Sequence, residues 1–357
     1  MSEFLKLYID GQWVGNDSNK KIAVINPATE EILYHVCSAT DENLLFAVKS
    51  AEKAFKSWAF TSAAKKSEIL AGAAKNLDIN RKSIAEALTR EQGKPIGEST
   101  GEVQAAIQSF QWAAEQVLLI ESLDYDDDVG GYTQQSEYEP VGIVAGFSPW
   151  NFPIMLTARK IAAAIAAGCC IIIKPAEEAP ASALAIAKAL ESSGLPAGVL
   201  NMVFGDPEKI SNTLISQKSV RKVSLTGSSV VGKKLAKIAS ITLTPCILEL
   251  GGHAPVLVFD DVDVDSIAKN LAIFKYRNAG QVCISPSRFF IHKNIFKSFS
   301  DKFVEYAAAL SVGNGSDKDT DIGPLAHERR LEAVDKLVND ALHKGATCLL
   351  GGHKIGR

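Results

Sequence analysis

The sequence has no C-x-x-C pair, no histidine at zinc-ligand spacing from a cysteine, and no G-x-G-x-x-G. Its six cysteines, Cys37, Cys169, Cys170, Cys246, Cys283 and Cys348, therefore give neither a metal signature nor a disulfide framework, and fit a reducing compartment. The standard Rossmann fingerprint is missing too. Excess charge of one sign is scarce: the formal net charge is -3, which gives no electrostatic reason to expect a nucleic acid or an anionic membrane as partner. The longest apolar run, Ile161–Ile173, is alanine-rich and too short to span a bilayer. Met1–Leu7 lacks a basic stretch followed by an apolar core, so no secretory signal is read. A soluble cytoplasmic protein without a metal is the expectation. There is no internal repeat and no low-complexity linker. What is present is ordinary: 357 residues, 46% hydrophobic and 22% charged, enough for two domains with a large core.

Periodicity divides the chain. Tyr8–Val14 reads as a hairpin turning at Asp10-Gly11. Helical spacing follows over Glu42–Ala59, Ser62–Leu77 and Gly97–Ile120. After the acidic break Asp124–Asp128, Gly130-Gly131-Tyr132 to Tyr138 reads as an extended excursion. From Pro140 the pattern becomes βα alternation. Strands are predicted at Val141–Phe147, Cys170–Ile173, Val199–Phe204, Lys222–Leu225 and Cys246–Leu248, with helices between them. Brief loops and apolar strands indicate a parallel sheet covered on both faces, and right-handed crossovers make it Rossmann-like. A second α/β block starts near Pro255, with strands at Val256–Phe259 and Phe289–His292 and helices at Val264–Tyr276, Ile295–Leu310 and Glu328–Lys344. Cys348-Leu349-Leu350 is predicted to begin a further strand.

Several short segments carry chemistry. Cys283, in Gly280-Gln281-Val282-Cys283, follows a predicted helix and so falls on a loop, where a thiolate can reach a carbonyl. The alternative is a buried structural cysteine, which is the reading kept for the other five, with Cys169 and Cys170 placed in the core. Glu249 ends an apolar strand beside Gly251-Gly252, a position suited to activating water or, alternatively, to plain solvation at a loop edge. The stretch between Glu249 and Cys283 leaves room for a strand and a helix, so the two could face one cleft. Asn151, in Ser148-Pro149-Trp150-Asn151-Phe152-Pro153, can donate to an oxyanion, with the Cys283 N–H as a second donor; it also suits a turn or helix cap. Lys174 and Glu177 follow a strand at the edge where a dinucleotide ribose lies in a doubly wound sheet. A carboxylate there grips the 2′-hydroxyl and repels a 2′-phosphate, favouring NAD over NADP. The alternative is a surface ion pair. Gly227 and Ser228 link a strand to a helix whose N-terminus suits pyrophosphate, or form an ordinary cap.

Taken together, SPWNFP, KPAEE, LTGSSVVG, LELGG and GQVC occur in the order and with the spacing of the NAD(P)-dependent aldehyde dehydrogenase family. The resemblance runs from about Tyr8 to Gly352. It implies Cys283 as nucleophile, Glu249 as general base and Asn151 as oxyanion donor. It also implies that Lys174, Glu177, Gly227, Ser228, Pro149 and Trp150 touch the cofactor. The implied fold is a Rossmann-like NAD(P)-binding domain over residues 1–123 and 140–249, an oligomerisation-type hairpin over 124–139, and an incomplete α/β catalytic domain over 250–357. Within the family the chain is most similar to succinate-semialdehyde dehydrogenases, through Glu91-Gln92-Gly93-Lys94-Pro95 and through Arg159 and Arg277. Arginines at those positions hold the substrate carboxylate, a bidentate pairing suited to guanidinium, unless they make structural ion pairs. Ser285 stands where some relatives carry a second cysteine. Members of the family are homo-oligomers and continue past this point with a Glu-x-Phe segment, a pocket loop and an oligomerisation strand. The expectation is therefore exposed apolar surface and impaired stability or turnover. Two other readings stay open: a CoA-acylating semialdehyde dehydrogenase, which needs no base at Glu249, and an inactive fragment that retains dinucleotide binding.

Overall fold

The computed structural model describes residues 4–15, 20–121, 123–125 and 134–355. They form two compact units. The first comprises Met1–Val24, Tyr34–Ile84 and Gly101–Glu249; the second comprises Ile25–Leu33, Ala85–Thr100 and Leu250–Arg357.

The chain opens with strands β1 (Phe4–Leu5), β2 (Leu7–Ile9), β3 (Gln12–Val14), β4 (Lys21–Ile25) and β5 (Ile32–Cys37). Asp10 and Gly11 turn β2 into β3 with φ of 53° and 70°, a turn open to these residue types. Four helices follow: α1 (Asp41–Trp58), α2 (Ala63–Ile79), α3 (Arg81–Gln92) and α4 (Ile96–Gln116). Thr40 caps α1 in a reciprocal box with Asn43, and Ser62 caps α2. Periodicity does not reveal α3, whose apolar Ile84, Ala85 and Leu88 are few among charged neighbours; burial of Leu88 at 0% exposure supplies what periodicity lacks. Residues 117–119 add one turn of 3-10 helix to α4, so the helix predicted to Ile120 tightens at its end. Strands β6 (Leu123–Tyr125) and β7 (Gln134–Ser136) pair antiparallel. The Gly130-Gly131-Tyr132 part of the predicted excursion lies outside the described residues.

The βα alternation then runs through β8 (Ile143–Phe147), α5 (Pro153–Ala166), β9 (Cys170–Lys174), α6 (Pro180–Glu191), β10 (Leu200–Met202), α7 (Pro207–Ile215), β11 (Val220–Gly227), α8 (Ser229–Ser240) and β12 (Cys246–Leu250). Every residue of β8 and β9 is buried, as parallel strands covered on both faces require. The seven-stranded sheet has the order β12-β11-β8-β9-β10-β2-β3. Strands β10, β9, β8 and β11 are mutually parallel, while β2 joins β10 antiparallel. Gly146 lets the β8 backbone lie against Ile171 and Ile173, whose side chains a Cβ would meet at 3.3 and 3.1 Å.

The second unit contains β13 (Pro255–Val258), α9 (Val264–Tyr276), β14 (Arg288–Ile291), α10 (Phe296–Ala308) and α11 (Glu328–His343). Strands β13 and β14 pair in parallel, and Val258, Ala268 and Phe299 centre a small core with Phe289 and Phe303 packed on it. The Phe289 and Phe303 rings meet edge to face at 5.5 Å. On the strands, Leu257 and Phe290 stay 64% and 56% exposed. The strand predicted from Cys348 is not formed. Residues 346–355 contain no strand, and Leu349 and Leu350 are exposed, because a strand needs a neighbour to pair with. No helix among the described residues is long and apolar enough to cross a membrane.

Candidate active site

In the first unit, β8 has β9 and β10 on one side and β11 and β12 on the other, so chain order reverses between β8 and β11. The segments leaving the C-terminal ends of these two strands diverge, and a doubly wound sheet offers a ligand crevice at that point. The predicted residues of this unit gather on the segments that leave the strands here.

The segment after β8 carries half-buried Pro149 and Trp150, then Asn151. The Asn151 Oδ1 accepts the Phe152 N–H at 3.1 Å, which fixes which side of the amide is the donor. Proline starts α5 and no side chain caps it at the N-cap position. Instead buried Glu102 accepts the Ile154 and Met155 N–H groups at 3.1 and 3.2 Å, satisfying orphan donors and complementing the helix dipole.

At the end of β9, Lys174 pairs with Glu177, and both side chains are largely buried. The Lys174 Nζ also donates to the Pro175 carbonyl at 3.1 Å, and the Glu177 Oε1 accepts the Gly205 N–H at 3.0 Å. Gly205 has φ of 136°, and a Cβ on it would stand 2.7 Å from Ser38 Oγ, so only glycine brings this N–H to the carboxylate. The pair is therefore an organised feature of the sheet edge rather than a loose surface bridge.

Strand β11 ends at Gly227, and Ser228 caps α8 by accepting the Val231 N–H at 3.3 Å. Both sequence readings of Ser228 are compatible with this: it is a cap, and it sits at an open helix N-terminus. Glu249 lies in β12, at the edge of the sheet, with its side chain exposed and without a hydrogen bond among the described residues.

Sequence reasoning missed Lys160. It lies on α5, and its Nζ donates to Ser224 Oγ of β11 at 3.0 Å. Burial pushes its pKa down to about 8, partly opposed by the carboxylate of Glu249. Its signal was a lysine in a helix whose only other polar side chains are Thr157 and Arg159. Arg159 itself is exposed and makes no ion pair among the described residues. It lines a cavity of about 360 Å³ between α4 and α5, together with Gln108, Ser109 and Trp112.

The second unit carries Cys283 and Arg277. Cys283 is exposed, in a turn closed by a Ser285 N–H to Val282 carbonyl bond of 3.0 Å. It is thus not a buried structural cysteine, unlike Cys37, Cys169 and Cys170; Cys246 is half-buried and Cys348, also expected to be buried, is exposed. Arg277 is exposed and starts a short 3-10 turn, Arg277–Gly280. Within that turn Asn278, Ala279 and Gly280 all have positive φ, of 49°, 54° and 73°. Left-handed backbone is costly for alanine, so the surroundings must hold it in place. Ser285 is buried against Lys275, its hydroxyl 3.4 Å from the Nζ. The described residues hold no cluster of three or more metal-ligating side chains.

A parallel sheet with a switch point, a Lys–Glu pair at a strand end and an open helix N-terminus define a doubly wound protein of the dinucleotide-binding type. With an exposed cysteine on a strained turn, that points to an oxidoreductase. The model of the aldehyde dehydrogenase family matches residues 13–357, and the chain belongs to this family, whose members are oxidoreductases acting on aldehydes. It is 38% identical to the non-phosphorylating aspartate-semialdehyde dehydrogenase of Halomonas elongata, over 97% of this chain and 70% of that one. It is 36% identical to the mitochondrial succinate-semialdehyde dehydrogenase of Oryza sativa subsp. japonica, over 98% of this chain and 66% of the relative. A succinate-semialdehyde dehydrogenase from Burkholderia pseudomallei has the same fold, with a TM-score of 0.96 and 37% identity over 98% of this chain and 73% of that structure.

Proposed function

We propose that this chain oxidises an aldehyde bearing a carboxylate at its far end, such as succinate semialdehyde, to the corresponding acid with NAD as acceptor. The observation that carries this reading is the exposed, unpaired Arg159 at the cavity between α4 and α5. A guanidinium so placed recognises a carboxylate bidentately. The three semialdehyde dehydrogenases with which the chain shares more than a third of its residues support the same substrate class. By the family resemblance Arg277, exposed on the second unit, is a further candidate for carboxylate recognition.

The roles follow from the chemistry of each group. The Cys283 thiolate adds to the aldehyde carbon, forming a thiohemiacetal. Asn151 donates an amide hydrogen to the oxygen that gains charge, its orientation held by the bond to Phe152. Hydride loss leaves a thioester on Cys283, and NAD, when bound, supplies the acceptor for that hydride. Glu249 takes a proton from the water that cleaves the thioester, releasing the acid and the thiolate. The residues present fit the cofactor: Lys174 and Glu177 suit ribose hydroxyls, Gly227 and Ser228 suit pyrophosphate, and Pro149 and Trp150 line the segment beside them. The Glu177 carboxylate favours NAD, because it repels a 2′-phosphate.

The test is NADH formation from succinate semialdehyde by the wild-type chain and by Cys283→Ala, with NADP and with added CoA in parallel. The expected result is turnover with NAD that disappears in the variant, with free acid as product. Turnover that survives the substitution, no turnover in either protein, or acyl-CoA as product would overturn the proposal.

A further inference from the structure

The turn that leads into Cys283 contains two consecutive non-glycine residues in the left-handed region, Asn278 and Ala279. Such a conformation persists only where its surroundings over-determine it. The surroundings are specific. The Asn278 backbone N–H donates to both carboxylate oxygens of Glu98, at 2.9 and 3.1 Å. Asn278 is 1% exposed and Glu98 half-buried, so the bond is partly sheltered from water. Gln281 closes the far side: its N–H and its Nε2 both donate to the Asn278 carbonyl, at 2.9 and 3.1 Å, and its Oε1 accepts the Ala326 N–H at 3.1 Å.

The backbone that carries Glu98 is anchored. It lies in the first turn of α4, directly after the Gly93-Lys94-Pro95 corner. A Cβ on either Gly315 or Gly323 would collide with the backbone of that corner, so two glycines let loop and corner pack backbone to backbone. The Ile96 N–H donates to the Gly315 carbonyl at 2.9 Å, and Lys94 is 1% exposed. All these groups belong to the second unit. A fixed corner therefore presents one carboxylate to one amide, five residues before the reactive thiol.

We propose that Glu98 is a positioning residue for Cys283: by clamping the Asn278 N–H it holds the left-handed turn and fixes where the thiol is presented. The inference rests on the reading of Cys283 as nucleophile. Its action is geometric, through reach, and not through charge. Glutamine at 98 keeps the reach of an acceptor oxygen and loses the charge, whereas aspartate keeps the charge and falls one methylene short.

The experiment compares Glu98→Ala, Glu98→Asp and Glu98→Gln with wild type by hydrogen exchange over residues 277–284 and by steady-state aldehyde oxidation. In Glu98→Ala and Glu98→Asp the segment exchanges about tenfold faster or more, and kcat falls about ten- to a hundredfold. The aldehyde KM and NAD affinity stay within about threefold of wild type, because the loss is one of alignment. Glu98→Gln restores both readouts to near wild type. Hydrogen exchange over α9 and α10, which belong to the same unit, reports its unfolding, and should Glu98→Ala unfold, the aspartate–glutamine comparison decides. Unchanged exchange in folded Glu98→Ala and Glu98→Asp overturns the clamp. Faster exchange with unchanged kcat overturns the positioning role, and so does recovery by aspartate but not by glutamine. If wild type shows no aldehyde turnover, the proposed function fails while exchange still judges the clamp.

Discussion

Replacing Lys160 by methionine should remove a pH dependence of stability that the structure assigns to one side chain. Burial pushes Lys160 from 10.5 down to about 8, against the attraction of Glu249. A shift of this size corresponds to about 3 kcal/mol. Below pH 8 both folded and unfolded chains carry the proton, so the folded state bears the full cost of burying the charge. Between about 8 and 10.5 the folded chain gives up the proton while the unfolded chain keeps it. The unfolded state then binds more protons, and stability rises with pH. Methionine keeps the packing of the stem and cannot titrate. It also loses the bond to Ser224, a cost of about 1 kcal/mol that does not vary with pH. Tyr8 and Cys170, which burial raises to about 12, titrate in both proteins and cancel in the difference. The stability of Lys160→Met relative to wild type should therefore fall by about 3 kcal/mol from pH 7.5 to 10.5. Urea unfolding followed by tryptophan fluorescence measures this, because Trp13, Trp58, Trp112 and Trp150 all lie in the first unit. A difference that stays flat across this range, or that grows in favour of the variant, would refute the reasoning.

Two further outcomes are expected. Arg159→Gln should raise the KM for succinate semialdehyde about tenfold or more, the value of a lost charged hydrogen bond, while uncharged aldehydes of similar length are oxidised as before; parallel loss on both substrates would show that Arg159 does not read the carboxylate. Gly323→Ala should destabilise the second unit by about 2 kcal/mol or more, because its Cβ would strike the Gly93 carbonyl. Loss of hydrogen-exchange protection over 93–98 and 315–323 is the readout, and unaltered protection would show that the close approach is not required.

Much of the sheet was legible because the physics that forms it is local. Buried parallel strands read as short apolar runs, and Cys170–Lys174 is buried along its whole length. The hairpin at Asp10-Gly11 was readable because few residues tolerate its dihedrals. The helix Arg81–Gln92 was not, because its amphipathic stripe is thin and its burial comes from distant packing partners. The strand expected at Cys348 failed for the converse reason: apolar content is local, but pairing is not.

The site divides along the same line. Residue types and their order were enough to single out Cys283, Glu249, Asn151, Lys174, Glu177 and Ser228, since each stands in a short segment with its own chemical signature. No pattern in the chain announces that Lys160 is buried against Ser224, that Glu102 serves the start of α5, or that Glu98 grips the amide of Asn278. Those pairs join residues separated by 64, 52 and 180 positions, and a contact across such a separation has no local propensity to reveal it. Sequence thus nominated the groups that the proposed chemistry uses. Folding determined how they are held, because burial, charge and backbone strain exist only once distant segments have packed together.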